Sequence, residues 1–163
     1  MSLILEFFRT EIDELDHKNV RIRILGDKKA LPEAQLDAVV GAEIRTMNNS
    51  GLQLNIALNY GGRDEIMHAV IDLAKKVESG LLTAEKITPE LFEKELSTNG
   101  QPDVDLLIRT SGEMRLSNFL LYQNAYAEMM FPPQLWPDFT VVHYKSALEM
   151  FTQRERRYGG RTT

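Results

Sequence analysis

The sequence contains no cysteine among its 163 residues. This absence excludes disulfide bonds, thiolate metal sites and cysteine nucleophiles, and it fits a reducing compartment. No apolar run reaches the roughly 20 residues that a bilayer-spanning helix needs, and the first residues lack the charged-then-apolar pattern of a signal peptide. We therefore expect the protein to be cytoplasmic.

Net positive charge is also lacking, because the chain as a whole carries −5. Residues 1–108 hold 12 basic and 19 acidic side chains, a net −7, whereas residues 109–163 hold seven basic and five acidic side chains, a net +2. Nonspecific nucleic-acid binding needs many phosphate contacts from a basic surface, so we expect no nucleic-acid partner. A local cluster of arginines in the second part suits a small anion better: Arg109, Arg115, Arg154, Arg156, Arg157 and Arg161.

The residues that are present are typical of a globular protein. Hydrophobic residues make up 43% of the chain and charged residues 26%, which argues against disorder as the main state. A chain of 163 residues suits one hydrophobic core and leaves no room for two. We predict a single domain over residues 1–163.

Helical and strand periodicities alternate along the chain. Apolar residues at helical spacing predict helices over 3–18, 31–49, 64–79, 89–97, 117–126 and 141–158. Alternating or continuous apolar residues predict strands over 20–24, 52–60 and 106–108, and a short one within 127–131. Strands separated by helices pair in parallel through right-handed crossovers, so the predicted fold class is α/β. Three clear strands are few for a sheet covered on both faces, which indicates a small α/β unit or part of a larger sheet.

Ligands of open α/β sheets bind beyond the carboxyl ends of the strands, and two such ends carry polar residues here. The first is the segment NYGGR at residues 59–63. Its two glycines allow a tight turn or a close approach of a ligand to the backbone, and a plain turn is the simpler interpretation. The sequence has neither a GxGxxG nor a GxxxxGK[ST] motif, so standard dinucleotide and P-loop sites are absent.

The second strand end is richer in polar groups. Arg109 follows an apolar strand directly, Arg115 comes six residues later, and Ser117 opens the next predicted helix. Two guanidiniums, a Ser-Gly turn with free N–H groups and a helix N-terminus together favour an oxyanion with several acceptors, such as a diphosphate. In the alternative interpretation Arg109 pairs with Asp103 or Asp105. Ser117 is then an ordinary N-cap and Arg115 is solvated.

Glu128 stands among apolar neighbours in the segment AYAEMMF at residues 125–131. A carboxylate in such surroundings needs an arginine, backbone donors or a cation as its partner. Magnesium usually takes one or two protein carboxylates together with substrate phosphates. Spacing alone favours an arginine pair, with a metal ion as the alternative.

The chain contains the segments LNIALNYGGRDEI, DLLIRTSGEMRLSNFLLYQNAYAE, FPPQLWPDF and RERRYGGR. Over nearly its whole length it resembles the bacterial cis-prenyltransferases, most closely the undecaprenyl diphosphate synthases. The resemblance implies a magnesium-dependent transferase that condenses isopentenyl diphosphate with farnesyl diphosphate into undecaprenyl diphosphate, the lipid carrier of cell-wall synthesis. It also implies a homodimer with an apolar tunnel, whose product partitions into the membrane and which could lie peripherally at its inner face.

The resemblance also carries residue roles, position by position. The family's substrate-binding residues fall on Arg109, Arg115, Leu116, Ser117, Arg157 and Gly159, and its metal-binding glutamate falls on Glu128. The pair Arg157 and Gly159 belongs to a C-terminal arginine–any–glycine motif that reaches the partner's site. Met114 stands where some members have a histidine, so no metal role is carried to it.

Two family motifs are absent from the sequence. One is the Asp-Gly-Asn-Gly-Arg-Trp motif on the first strand, which holds the allylic diphosphate and magnesium, and the other is an Asn-Trp segment on a mobile loop. We therefore expect the C-terminal part of a single cis-prenyltransferase domain, with a partial parallel sheet that is flanked by helices and lacks its first strands. No catalytic residue is expected within residues 1–163, and the chain alone is predicted to be inactive.

Two other functions compete with this interpretation. The first is a non-catalytic partner subunit of a prenyltransferase, which would not need to keep Arg109, Arg115 and Glu128, all of which are kept here. The second is an unrelated small α/β domain that binds diphosphate without controlling the length of a polyprenyl chain. Binding assays with allylic and homoallylic diphosphates would separate the second from a prenyltransferase.

Overall fold

The structure is a computed structural model that describes residues 2–154. The chain divides into two compact units, of which the first ends at Asn99 and the second begins at Gly100. None of the helices in residues 2–154 is long and apolar enough to cross a membrane.

The first unit alternates helices and strands as the periodicity predicts. Its main elements are α1 (Ser2–His17), β1 (Arg21–Leu25), α2 (Glu33–Thr46), β2 (Gln53–Ala57), α3 (Gly62–Glu78) and α4 (Pro89–Glu93). Two short 3₁₀ turns, Lys28–Ala30 and Ala84–Lys86, lie in the connections. The strands β1 and β2 pair in parallel, with register from Arg21 opposite Gln53 to Leu25 opposite Ala57. The predicted parallel pairing is therefore confirmed for these two strands.

The core of this unit lies between the two-stranded sheet and helices α1 and α2. Alternation along β1 buries Ile22 and Ile24, which pack with Phe8 of α1 and with Val39 and Ala42 of α2. All five side chains are at most 5% exposed. Since each buried aliphatic or aromatic side chain contributes about 1.5–3 kcal/mol by leaving water, this cluster fixes both helices on the sheet.

Helix α2 also closes the edge of β1 that faces away from β2. The N–H of Ile22 donates to Thr46 Oγ1 at 3.0 Å, and the N–H of Ile24 donates to Glu43 Oε1 at 2.9 Å. Glu43 is in turn paired with Lys28 at 2.7 Å. Unpaired strand edges attract further strands, and these side-chain acceptors satisfy two N–H groups on this edge of β1.

The second unit contains a second, smaller parallel pair. Its elements are β3 (Leu106–Ile108), β4 (Glu128–Met130), a 3₁₀ turn (Trp136–Asp138) and α5 (Val141–Thr152). Leu106 lies opposite Glu128 and Ile108 opposite Met130. The α/β class is confirmed, but the parallel strands of residues 2–154 form two two-stranded sheets rather than one partial sheet. The apolar strand β3 is half-buried, not fully buried as its composition suggests.

The helix predicted over residues 117–126 is wrong. This segment forms a series of turns, because Ser117, Asn118 and Leu120 adopt φ angles of 49°, 65° and 45°. A right-handed helix requires negative φ throughout, so three left-handed residues at its start prevent it from forming. Helix α5 ends at Thr152, and the rest of its predicted span beyond residue 154 lies outside the described residues.

Candidate anion-binding site

Arg109 stands at the carboxyl end of β3, as predicted. Its backbone N–H donates to the carbonyl oxygen of Met130 at 2.9 Å, which extends the β3–β4 ladder one residue beyond Ile108. The sheet therefore fixes the backbone of Arg109. The half-buried side chain consequently starts from a defined position.

The Arg109 guanidinium gathers the three residues that the sequence pattern grouped together. Its Nη1 donates to the main-chain oxygen of Arg115 at 2.6 Å and to Ser117 Oγ at 2.7 Å. A guanidinium has five N–H donors, so three remain beyond these two bonds. The Ser117 hydroxyl accepts from Arg109 and keeps its own proton to donate. Arg109 thus organises the loop and still has donors for an anion.

The Ser-Gly turn does not contribute free N–H groups, contrary to the sequence-based expectation. The N–H of Ser111 donates to the carbonyl oxygen of Gln134 at 2.7 Å, and the N–H of Gly112 donates to that of Pro132 at 2.9 Å. Both residues adopt positive φ, of 68° and 65°. This turn therefore ties the loop to the segment after β4, and its amides are not available to a ligand.

No helix N-terminus supports the site either. Ser117 was expected to cap a helix, but it lies in a turn with a φ of 49°. Without a helix there is no macrodipole to attract an anion. Within residues 2–154, the positive charge of this loop therefore comes from the side chains of Arg109 and Arg115 and not from a helix dipole.

Arg115 is not simply solvated, as the alternative interpretation had it. Its Nη1 forms an ion pair with Oε2 of Glu113, two residues earlier, although 63% of the arginine and 41% of the glutamate side chain remain exposed. The neighbouring Leu116, which was assigned to substrate binding, is half-buried. Glu113 had no predicted role, and the available signal for it was its position in the loop between Arg109 and Arg115.

Glu128 lies at the other end of the β3–β4 pair. It is opposite Leu106 in the register, three residues before Arg109, which corresponds to about 10 Å along a strand. Its Oε2 pairs with Nη1 of Arg154 at 2.5 Å. The arginine pair that spacing favoured is therefore present.

Magnesium binding was the other role considered for Glu128. Within residues 2–154 no group of three or more potential ligand side chains could hold a metal ion. A single carboxylate fits magnesium only where a diphosphate and water supply the remaining oxygens. Glu128 fits that kind of shared site, and it does not fit a site made of protein ligands alone.

The segment at residues 59–63, the first of the two strand ends that carry polar residues, forms a structured turn. The side chain of Asn59 donates to the carbonyl oxygen of Asp27 at 3.1 Å, and helix α3 begins at Gly62. The buried Glu65 accepts hydrogen bonds from Tyr60 Oη at 2.6 Å and from the N–H of Ser97 at 2.8 Å. These bonds border a cavity of about 410 Å³. Glu65 could not be singled out from the sequence, because one carboxylate in an amphipathic helix carries no distinguishing signal.

Two predicted substrate-binding residues, Arg157 and Gly159, lie outside the described residues. Their assignment to substrate binding stays a prediction. The expectation that they reach the partner's site stays a prediction as well.

Comparison with known proteins extends over nearly the whole chain. The family model for undecaprenyl diphosphate synthases matches residues 1–159. The isoprenyl transferase of Bacillus subtilis strain 168 is 51% identical over 160 residues, which are 98% of this chain and 62% of that protein. The isoprenyl transferase of Agrobacterium fabrum is 48% identical over 159 residues, which are 98% of this chain and 64% of that protein. The chain thus spans just under two thirds of these relatives.

Two solved structures share the fold. Lavandulyl diphosphate synthase from Lavandula x intermedia, solved in complex with dimethylallyl diphosphate, has a TM-score of 0.94 at 39% identity and covers 98% of this chain and 69% of its own. A probable undecaprenyl diphosphate synthase from Campylobacter jejuni has a TM-score of 0.83 at 33% identity, covering 97% of this chain and 72% of its own. The resemblance drawn from the sequence segments is therefore confirmed.

Proposed function

This chain belongs to the undecaprenyl diphosphate synthase family of prenyltransferases, and from that premise we propose that it supplies the homoallylic-diphosphate site of a cis-prenyl chain-elongating enzyme. The observation that supports this most directly is the Arg109 guanidinium, which contacts both Arg115 and Ser117. The family match rules out an unrelated diphosphate-binding domain. A non-catalytic partner subunit would not need to retain this cluster.

The proposed substrates are isopentenyl diphosphate and farnesyl diphosphate, and the proposed product is undecaprenyl diphosphate, the lipid carrier of cell-wall synthesis. In each elongation step the carbon–oxygen bond of the allylic diphosphate breaks, a carbon–carbon bond forms to the alkene of isopentenyl diphosphate, and a proton leaves the new chain. Diphosphate departs with the electron pair of the broken bond. The arginine cluster would hold the diphosphate of the alkene substrate, which remains on the product.

Positioning is the task that these residues would perform. The diphosphate of isopentenyl diphosphate would accept hydrogen bonds from the remaining donors of Arg109, from the Arg115 guanidinium and from the Ser117 hydroxyl. Each charge-assisted bond of this kind contributes about 1.5–3 kcal/mol. Because the sheet fixes Arg109 through its backbone N–H, the alkene would be presented in a reproducible orientation.

We propose magnesium as the cofactor, with Glu128 as one of its ligands. The remaining ligands would be diphosphate oxygens, water and a carboxylate from outside this chain. A bound magnesium ion would neutralise phosphate charge and help the allylic diphosphate to leave.

The proposed assembly is a cytoplasmic homodimer of a longer enzyme, in which both units of this chain belong to one catalytic domain. Arg157 and Gly159 would reach the partner's site, the helices would border an apolar tunnel, and the polyprenyl product would pass to the inner face of the membrane.

Titration of this chain with isopentenyl diphosphate tests the proposal. We expect the unmodified chain to bind and Arg109→Ala to lose about tenfold or more in affinity, as removal of a charge-assisted bond predicts. Arg9→Ala, which removes the same charge from the exposed face of α1, should leave affinity unchanged. Absence of binding by the unmodified chain, or equal affinity in Arg109→Ala, would contradict the proposal.

A further inference from the structure

The ion pair between Glu113 and Arg115 lies inside the loop that carries the arginine cluster. The carboxylate engages Nη1 of Arg115, while the main-chain oxygen of the same arginine accepts from Arg109. Arg115 is thus held at two points. Arg109 binds its backbone oxygen, and Glu113 pairs with its side chain. The carboxylate therefore occupies Nη1 of an arginine that is proposed to hold a diphosphate.

The exposure of this pair makes it easy to displace. Both side chains retain large exposed fractions, 63% for Arg115 and 41% for Glu113. Ion pairs in such surroundings contribute little to stability. A diphosphate offers more negative charge and several acceptor oxygens, so it can replace one carboxylate on a guanidinium.

We propose that Glu113 is a positioning residue that serves as an internal counter-anion for Arg115. It holds the guanidinium in place when the site is empty, and it competes with the diphosphate for that guanidinium when a ligand arrives. The consequence is weaker retention and faster release of diphosphate ligands. The inference rests on the proposed function, because it requires that Arg109, Arg115 and Ser117 bind a diphosphate.

The proposal predicts a gain of affinity on removing the acid. Glu113→Gln keeps the size of the side chain and removes its charge, so we expect isopentenyl diphosphate to bind about fivefold tighter, in line with the loss of one exposed ion pair, with a correspondingly slower dissociation rate. The gain should shrink as salt is raised, since exposed charges are screened. Damage to the loop would lower affinity instead.

A matched variant controls for net charge. Glu149→Gln removes the same charge from an exposed position of α5 in the same unit, and its affinity should stay within twofold of the unmodified chain. A comparable gain in Glu149→Gln would show a general electrostatic effect and overturn the proposal.

A double-mutant cycle shows whether Glu113 acts through Arg115. In an Arg115→Gln background, Glu113→Gln should change affinity no more than the Glu149→Gln control does. A full gain in that background would mean direct repulsion of the ligand and would overturn the positioning role. If the unmodified chain binds but Glu113→Gln binds equally or more weakly, the inference fails while the proposed function stands. If the unmodified chain binds no isopentenyl diphosphate, both fail.

Discussion

Glu128 and Arg154 form an ion pair that joins the first residue of β4 to the segment after α5, with 2.5 Å between Oε2 and Nη1. The exposed fraction is 24% for the Glu128 side chain and 39% for the Arg154 side chain. The pair is therefore shielded from water on part of its surface. A carboxylate among apolar neighbours requires such a partner. The pair therefore satisfies Glu128 within the chain, and any magnesium role for Glu128 must compete with Arg154.

The first prediction concerns the energy of this pair. In a double-mutant cycle of Glu128→Gln and Arg154→Gln, we expect a coupling free energy of about 0.5–1 kcal/mol, the upper part of the range for partly exposed pairs. Urea unfolding of the four proteins measures it. The Glu14–Lys18 pair, with 60% and 63% exposed side chains, is the comparison and should couple less. A coupling near zero for Glu128 and Arg154 would contradict the structure.

The second prediction concerns Thr46, which is fully buried. Its Oγ1 accepts the N–H of Ile22 at 3.0 Å and donates to the carbonyl oxygen of Ala42 at 2.8 Å. Thr46→Val keeps the shape of the side chain but leaves the N–H of Ile22 without this acceptor. We expect the free energy of unfolding to fall by about 1–3 kcal/mol, the range for a buried group left unsatisfied, as measured by urea denaturation.

Thr10→Val is the matched control for Thr46→Val. Thr10 makes a similar bond to the carbonyl oxygen four residues earlier, at 2.9 Å, but on the exposed face of α1. Water can replace that bond, so the change in unfolding free energy should stay within about 0.5 kcal/mol, as for surface substitutions in general. Equal effects of the two substitutions would show that Thr46 does not close the edge of β1.

The third prediction concerns the acid limb of the stability curve. Hydrogen bonds from Asn49 and Arg45 to the Asp16 carboxylate hold its pKa below the ordinary value of 3.8. An acid with a lowered pKa in the folded state contributes stability above its unfolded pKa and loses that contribution as pH falls through the folded pKa. The loss therefore falls below about pH 4. Asp16→Asn should make stability less dependent on pH in that window.

Urea midpoints measured between pH 2 and pH 6 check this expectation. Asp37→Asn, at an exposed position of α2, is the control, because it removes the same charge and leaves the hydrogen bonds to Asp16 in place. An identical acid limb in Asp16→Asn and the unmodified chain would contradict the assignment to Asp16.

Local periodicity predicted most of the elements and the arginine cluster, because both depend on residues close in sequence. The strand β3 ends where Arg109 begins, and Arg115 and Ser117 are near enough along the loop for the Arg109 guanidinium to reach them. The same reasoning failed over residues 117–126, where apolar residues at helical spacing accompany left-handed backbone at Ser117 and Asn118. Periodicity reports which face is apolar and does not report φ.

Long-range partners account for the other differences. The N–H of Ser111 binds the carbonyl oxygen of Gln134, more than 20 residues further along the chain, so its loss as an anion donor has no local signal. Closure of the β1 edge by Thr46 and Glu43 likewise depends on how α2 packs. These contacts follow from the tertiary structure, which one sequence does not specify by pattern alone.

The last prediction is that this chain alone does not catalyse prenyl transfer. The reaction needs an allylic diphosphate and an alkene held side by side. The chain offers a cluster for one diphosphate and lacks the Asp-Gly-Asn-Gly-Arg-Trp motif for the other. No acidic cluster replaces that motif, since within residues 2–154 no three or more acidic or histidine side chains come together to hold a metal ion. Holding both reactants accounts for about 7–11 kcal/mol of barrier lowering, most of which would be lost. We therefore expect the purified chain to form no polyprenyl product when it is incubated with farnesyl diphosphate, radiolabelled isopentenyl diphosphate and magnesium. The Bacillus subtilis isoprenyl transferase, assayed in parallel, is the positive control. Binding of isopentenyl diphosphate by the chain tests whether it is folded. Efficient product formation by the chain would show that the absent motif is dispensable.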